Sequence, residues 1–245
     1  MKSLSVEEIG HIANRVDGWL GKREGPYLYS LAKAVSSLGV IVEIGSWKGK
    51  STIWLAQGAQ AGQGGEVYAI DPHIGGPDQE QRGYRNVHTE EEFKNNIRLA
   101  GVEQLVVPLV MTSREAVRGW NRPIGLLWID GDHSYENVKF DLYNWEPYVV
   151  VGGVIAFHDT FSWNGVRKFV DEEVLWCDKF QVLGQVNQIL AVRKVPRLSA
   201  LDRMKRRIVI YLRQAYNRAS LEGRHRPGYP KISCWPCRGL SREIS

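Results

Sequence analysis

Residues 42–51, VEIGSWKGKS, constrain the fold of this 245-residue chain more than any other stretch. An apolar, β-branched segment passes through an acid, Glu43, into a turn whose glycines, Gly45 and Gly49, have three residues between them. The pattern reads as a buried strand, a tight turn and the opening of a helix. A helix N-terminus gathers unpaired backbone N–H groups, so this geometry suits the polar end of a nucleotide-like ligand.

The rest of the chain repeats the alternation. An N-terminal helix opens at the capping box Ser5 to Glu8, presents Ile9, Ile12, Val16 and Trp19 on one face and is expected to end at Gly21. A second helix is expected over residues 27–36. Strands are expected at 40–44, 67–70, 105–110, 124–129 and 154–157, and helices at 51–57, 90–99, 135–145 and 166–175. Two last strands, 180–186 and 189–192, form a hairpin around Asn187. Apolar strands separated by helices predict an α/β, Rossmann-like, doubly wound and mostly parallel seven-stranded sheet, closed at one edge by the antiparallel hairpin. The expected organisation is a helical cap (1–36), a ligand-binding core (37–195) and a C-terminal extension (196–245). Residues 73–89, rich in Gly, Pro and polar side chains, follow a strand end where ligands bind in such sheets; they read either as a substrate lid or as a disordered insertion.

Three nucleotide sites compete for the glycine turn. A P-loop needs four residues between its glycines before Lys-Ser, and here there are three. A dinucleotide fingerprint needs a glycine where Trp47 stands. The third pattern, acid-x-Gly-x-x-x-Gly, resembles the first motif of class I S-adenosylmethionine-dependent methyltransferases. The resemblance implies cofactor contacts at Glu43, Gly45, Ser46, Gly49 and Ser51, with Ser51 as a hydroxyl donor to the ligand carboxylate. It further implies that Asp71, at the end of the next strand, accepts the ribose hydroxyls and that Ser113 meets the adenine.

A second constellation follows. IDGDHSY (129–135) ends one strand and GGVIAFHD (152–159) spans the next, so Asp130, Asp132, His133, His158 and Asp159 can converge on the ligand edge. With the glycine motif, these phrases resemble metal-linked O-methyltransferases related to the catechol and caffeoyl-coenzyme-A enzymes. Most similar is the bacterial subgroup of macrocin-type and rhamnosyl O-methyltransferases and cephalosporin-hydroxylase-like proteins, over roughly Gly18 to Lys194. The resemblance implies a divalent cation, Mg²⁺ or another, on Asp130, His158 and Asp159, and a catalytic pair of His133 as general base with Asp130. His158 departs from that pattern, which has an acid there, and imidazole shifts the preference toward transition metals. The implied reaction is O-methylation of a hydroxyl on a sugar or secondary metabolite. Two alternatives stay open: a metal-independent methyltransferase, and a cofactor-binding module without transfer activity.

Charge is unevenly spread. Beyond Val195 twelve basic residues face three acids, a net +9, so the preceding part carries −4 of the total +5. Leu201, Met204, Ile208, Tyr211, Leu212 and Ala215 recur there at helical spacing between arginines. This suits an anionic membrane surface, an acidic glycan or a partner subunit, and equally a solvated helix packed on the body. Nucleic acid is not expected as a partner, because the body is acidic and no binding motif is present. The expected partner is a small-molecule or glycoside acceptor, with a homo-oligomer left open. Acids among the first eight residues break the apolar run a signal peptide needs, so the expected location is cytoplasmic, with a membrane-peripheral address left open. Cys234 and Cys237 form an isolated C-x-x-C, read as incidental thiols rather than a zinc site.

Overall fold

The computed structural model describes residues 4–221. Seven strands, β1 (Val40–Ile44), β2 (Val67–Ile70), β3 (Val106–Leu109), β4 (Ile124–Ile129), β5 (Val149–Phe157), β6 (Phe180–Val186) and β7 (Ile189–Lys194), form one sheet in the order β3-β2-β1-β4-β5-β7-β6. The first five run parallel; β7 is antiparallel to β5, and β6 to β7. This is the expected Rossmann-like sheet with its antiparallel edge. The order reverses between β2-β1 and β4-β5, and the carboxyl ends flanking β1 form the crevice where such sheets bind ligands.

The helices are α1 (Val6–Ala13), α2 (Glu24–Val35), α3 (Lys50–Ala61), α4 (Pro77–Gln81), α5 (Glu90–Leu99), α6 (Ser113–Ala116), α7 (Tyr135–Trp145), α8 (Asn164–Phe169) and α9 (Ala200–Leu221). They cover both faces of the sheet, and the period-2 geometry of β1 shows how. Ile41 faces a core of Ile9, Leu28, Leu31, Ile53 and Leu55 from α1, α2 and α3. Val42 and Ile44 face the opposite core, with Val138, Leu142 and Phe169 from α7 and α8. Strands apolar on both faces therefore mark the centre of the sheet.

Several boundaries differ from the sequence expectation. The Ser5 capping box is present, but α1 stops at Ala13 with Asn14 as its C-cap, not at Gly21. Val16 is still buried, whereas Trp19 lies in a connecting segment and is 40% exposed. Helix α2 begins at Glu24, with Pro26 in its first turn, where a missing N–H costs nothing. The helix expected over 166–175 starts as α8 and then widens into a π-type turn, Val170–Val174. Helix α9 is not separate from the core. It buries Val209 and Ile210 in the second layer and inserts Arg213, which is 0% exposed. The guanidinium donates to Asp171 (2.7 Å), to Gln185 Oε1 (2.7 Å) and to the Thr160 carbonyl (2.9 Å). Cys234 and Cys237 lie outside the described residues.

Gly45 is where β1 and β4 meet most closely. Its φ is +86°, and a Cβ there would lie 2.1 Å from the Asp130 carbonyl oxygen. Gly101 also has positive φ, +67°, with nothing within 4 Å of a Cβ. Gly101→Ala should cost about 1–2 kcal/mol of left-handed strain. Gly45→Ala should cost that plus the backbone displacement, in total more than about 3 kcal/mol in urea unfolding. Equal costs would show that the clash is relieved freely.

Candidate active site

The glycine turn is built from below by Glu43. Its carboxylate is completely buried and accepts hydrogen bonds from the Ser51 and Thr52 hydroxyls, both at 2.5 Å, at the start of α3. Ser51, expected to donate to a ligand, has its hydroxyl hydrogen on Glu43. Glu43 itself supports the turn from behind and is not among the residues lining the cavity. From above, Asp71 at the end of β2 accepts the Trp47 N–H (2.8 Å) and the His73 N–H (2.7 Å). Trp47 has φ +46° and Gly49, the N-cap of α3, has φ +93°. The Ser46 hydroxyl and the Trp47 indole N–H are both buried without a hydrogen-bond partner. Buried polar atoms are rarely left unpaired, so this turn fits a polar ligand.

The turn opens into a cavity of about 430 Å³. Gly45, Ser46, Ser51, Asp71 and Ser113 line it on one side, and Asp130, Asp132, His133, His158 and Asp159 on the other. The two constellations read from the sequence thus share one space. Ser113 donates to Asp141 (2.5 Å) and accepts from the Trp145 indole (2.8 Å), which fixes its hydroxyl. Burial, offset in part by that Ser113 bond, pushes the Asp141 carboxyl up to about 7.

The acid–imidazole cluster is arranged differently from the implied ligand set. Single ligand atoms of Asp130, His133 and Asp159 lie within 4.8 Å of one another. His158, implied as a ligand, is occupied at both ring nitrogens: Nδ1 is 3.0 Å from Asp130 Oδ1, and Nε2 is 3.4 Å from Glu24 Oε2. Glu24 also accepts the Gln188 N–H, so a buried carboxylate locks the ring from the cap side. His133, implied as a base, has Nδ1 2.6 Å from Asp78 Oδ2 and Nε2 3.1 Å from Asp159 Oδ2. That second approach is not aligned as a hydrogen bond, and Nε2 is buried without a partner. One imidazole nitrogen between two carboxylates is a donor set that fits a divalent cation, the imidazole favouring a transition metal over Mg²⁺.

Electrostatics follow from this packing. Burial lowers the His133 pKa, but Asp130, Asp159 and Asp78 together push it up to about 11. That shift favours the protonated ring, a form that donates hydrogen bonds to the surrounding carboxylates. Burial likewise lowers the His158 pKa, while Asp130, Glu24 and Asp159 hold it well above the usual value. Asp130 shows the converse: burial raises it, and the two imidazoles bring it below the ordinary carboxylate range.

Several contributors were not evident in the sequence. The segment 73–89 contains α4 and contributes Pro77, Asp78 and Arg82 to the cavity lining. Its base is closed by the Thr89 N–H to His73 carbonyl bond (3.1 Å) and by His73 Nδ1 against the Thr89 hydroxyl (2.8 Å). Asp78 follows Pro77 at a helix start, the only sequence sign of its role. Trp19, Trp47 and Tyr84 form a mutual aromatic cluster with centroids 5.4–5.8 Å apart. Arg82 lies 4.5 Å above Trp19, and Trp163 stacks on His133 at 4.8 Å and 7°.

Glu43 gives a pH test. Burial pushes its carboxyl up to about 8, against the lowering effect of Ser51 and Thr52. The folded state then holds a proton that the unfolded chain releases near pH 4.5, so this residue's stabilising contribution is complete below that pH. It is lost as pH rises toward 8, at up to about 1.4 kcal/mol per pH unit. The stability difference between wild type and Glu43→Gln should therefore swing in favour of the variant between pH 5 and 8. A constant difference across that range would place Glu43 as an ordinary ionised carboxylate.

Residues 42–160 match the family model described as a methyltransferase domain. An uncharacterised protein of Sinorhizobium fredii, y4gI, is 28% identical over 151 residues, covering 61% of this chain; the chain spans only 16% of that relative's length. Among solved structures, the O-methyltransferase NovP matches with TM-score 0.60 at 20% identity, over 71% of this chain and 81% of that one. TomG of Streptomyces achromogenes, an O-methyltransferase solved with S-adenosylmethionine, matches with TM-score 0.54 at 17% identity, over 79% and 91%. The O-methyltransferase of Bacillus cereus, in complex with S-adenosylhomocysteine, matches with TM-score 0.53 at 20% identity, over 77% and 89%. The fold and the matched segment agree: residues 42–160 are similar to a methyltransferase domain, set on a sheet of the kind found in solved O-methyltransferases.

Proposed function

We propose that the protein transfers the methyl group of S-adenosylmethionine to a hydroxyl oxygen of a small molecule, a sugar or a secondary metabolite, with the help of a divalent cation held by Asp130, His133 and Asp159. The observation that carries this reading is the shared cavity, lined by Asp71 and by Ser46, whose hydroxyl has no hydrogen-bond partner, and by the cluster of Asp130, His133 and Asp159.

Asp71 is the group for the ribose hydroxyls, since each of its oxygens accepts one backbone N–H and keeps a further lone pair. Ser46 and the α3 N-terminus suit the amino-acid end of the cofactor. A cation bound at the acid–imidazole cluster would supply Lewis acidity, making a nearby hydroxyl easier to ionise. His133 is then neutral, its Nδ1–H donates to Asp78, and that contact sets the ring orientation. His158 stays paired with Glu24 and Asp130 and fixes the Asp130 carboxylate. Proton removal passes to Asp132, which lines the cavity and has Oδ1 tied to the Ser134 N–H (2.7 Å). Trp19 and Trp47 line the cavity, with Tyr84 packed edge-on behind them, and offer aromatic surface suited to stacking on a sugar ring or planar acceptor. They also help exclude water that would compete for the methyl group.

The experiment combines binding and turnover. Calorimetry should show S-adenosylhomocysteine binding, weakened by about 1.5–3 kcal/mol in Asp71→Ala, the scale of a charged hydrogen bond. Methyl transfer to a panel of deoxysugar glycosides and catechols should stop in excess chelator and return with Mg²⁺, Mn²⁺ or Co²⁺. Turnover unaffected by chelator would leave the metal-independent enzyme. Cofactor binding without turnover on any acceptor would leave a binding module, and folded protein that ignores S-adenosylhomocysteine would remove the reading altogether.

A further inference from the structure

Helix α9 has two unlike faces. The inner face buries Arg206, Val209, Ile210 and Arg213 against the body. Arg206 donates to the Cys177 carbonyl and to Asp178, and Arg213 to Asp171, so the rotation of the helix about its axis is fixed. The opposite face carries Leu201, Met204, Ile208 and Tyr211, which are 53%, 54%, 52% and 71% exposed. They recur every three or four residues and therefore form one row along the helix. Apolar side chains of this size, aligned and unburied, are more than the scattered exposure of an ordinary surface.

Charge identifies what covers the row. On a helix of 3.6 residues per turn, Arg207 and Arg218 fall within about 40° of Tyr211, at one border of the row. Both are exposed. The chain from residue 196 onward carries a net +9. Two copies packed row against row would bring these arginine-rich strips together, and their repulsion disfavours a self-paired dimer. An anionic surface satisfies the row and its border at once. Among the described residues no helix is long and apolar enough to cross a membrane. A helix with a narrow apolar face and basic borders instead lies in the plane of the interface.

We propose that α9 docks the protein on an anionic phospholipid surface. Leu201, Met204, Ile208 and Tyr211 enter the boundary between headgroups and acyl chains, and Arg207 and Arg218 meet lipid phosphates. The inner face keeps its grip on the body throughout. Because Arg213 holds the carbonyl of Thr160, the residue after Asp159, the docked helix is tied directly to the loop that carries a cluster carboxylate.

Co-sedimentation of the full chain with phosphatidylglycerol-rich vesicles and with pure phosphatidylcholine vesicles tests this. Binding to the anionic vesicles alone, weakened by salt, is expected. Arg207→Ala with Arg218→Ala should lower partitioning by about thirtyfold, or about fivefold per arginine. Met204→Glu with Ile208→Glu should abolish it, while the melting temperature stays unchanged because both positions are exposed. Three results would overturn the proposal. One is no binding to anionic vesicles at low salt. Another is binding that survives Met204→Glu with Ile208→Glu, which would make it a matter of net charge without the helix face. The third is a solution dimer broken by that same variant without any vesicle binding, which would make a second copy the occupant.

Discussion

The site depends on one close approach, the backbone of Gly45 against the carbonyl of Asp130. No side chain can stand between them, since a Cβ on Gly45 would sit 2.1 Å from that oxygen. The Asp130 N–H meanwhile donates to Ile44 at 2.9 Å, so the two strand ends are joined as well as touching. This contact decides that the glycine turn after β1 and the acids after β4 open into the same space. Separated by a side chain, they would be a ligand turn and an acidic patch without common chemistry.

The second layer of the design is charge balance in a buried setting. Two imidazoles are shared among Asp78, Asp130, Asp159 and Glu24, which come from the lid, two strand ends and α2. An isolated charge at these depths would be costly, whereas an acid beside an imidazole gives each a partner of opposite sign. The two histidines nevertheless differ. His158 is saturated from both sides, while His133 retains one nitrogen facing Asp159 without a hydrogen bond. That inequality makes the cluster a candidate cation site on Asp130, His133 and Asp159.

Much of this was legible in the sequence. The glycine spacing excluded a phosphate loop, and strand-end acids marked the ligand edge, because both depend on local geometry. The mostly parallel sheet and its antiparallel edge followed from the alternation of segments, whereas the strand order came only with the structure. What escaped depends on contacts far apart in the chain. His158 and Asp159 are neighbours, so spacing alone could not tell which histidine of the cluster would be left free; Glu24, 134 residues away, decides it. Asp78 meets His133 across 55 residues, inside a segment whose composition also suited disorder. Arg213 reads as one more tail arginine, yet it is wholly buried and makes the extension part of the core. Amphipathic spacing placed α9 correctly but left open which of its two faces would pack.

The central claim is that one cavity holds both the cofactor and a cation on Asp130, His133 and Asp159. A crystal grown with S-adenosylhomocysteine and Mn²⁺, measured at the manganese absorption edge, tests it most directly. The account predicts one anomalous peak within bonding distance of all three side chains, and ribose density on Asp71, with His158 still on Glu24. Ribose density on Asp71 with no anomalous peak, or a peak held by His158 in place of His133, would contradict it.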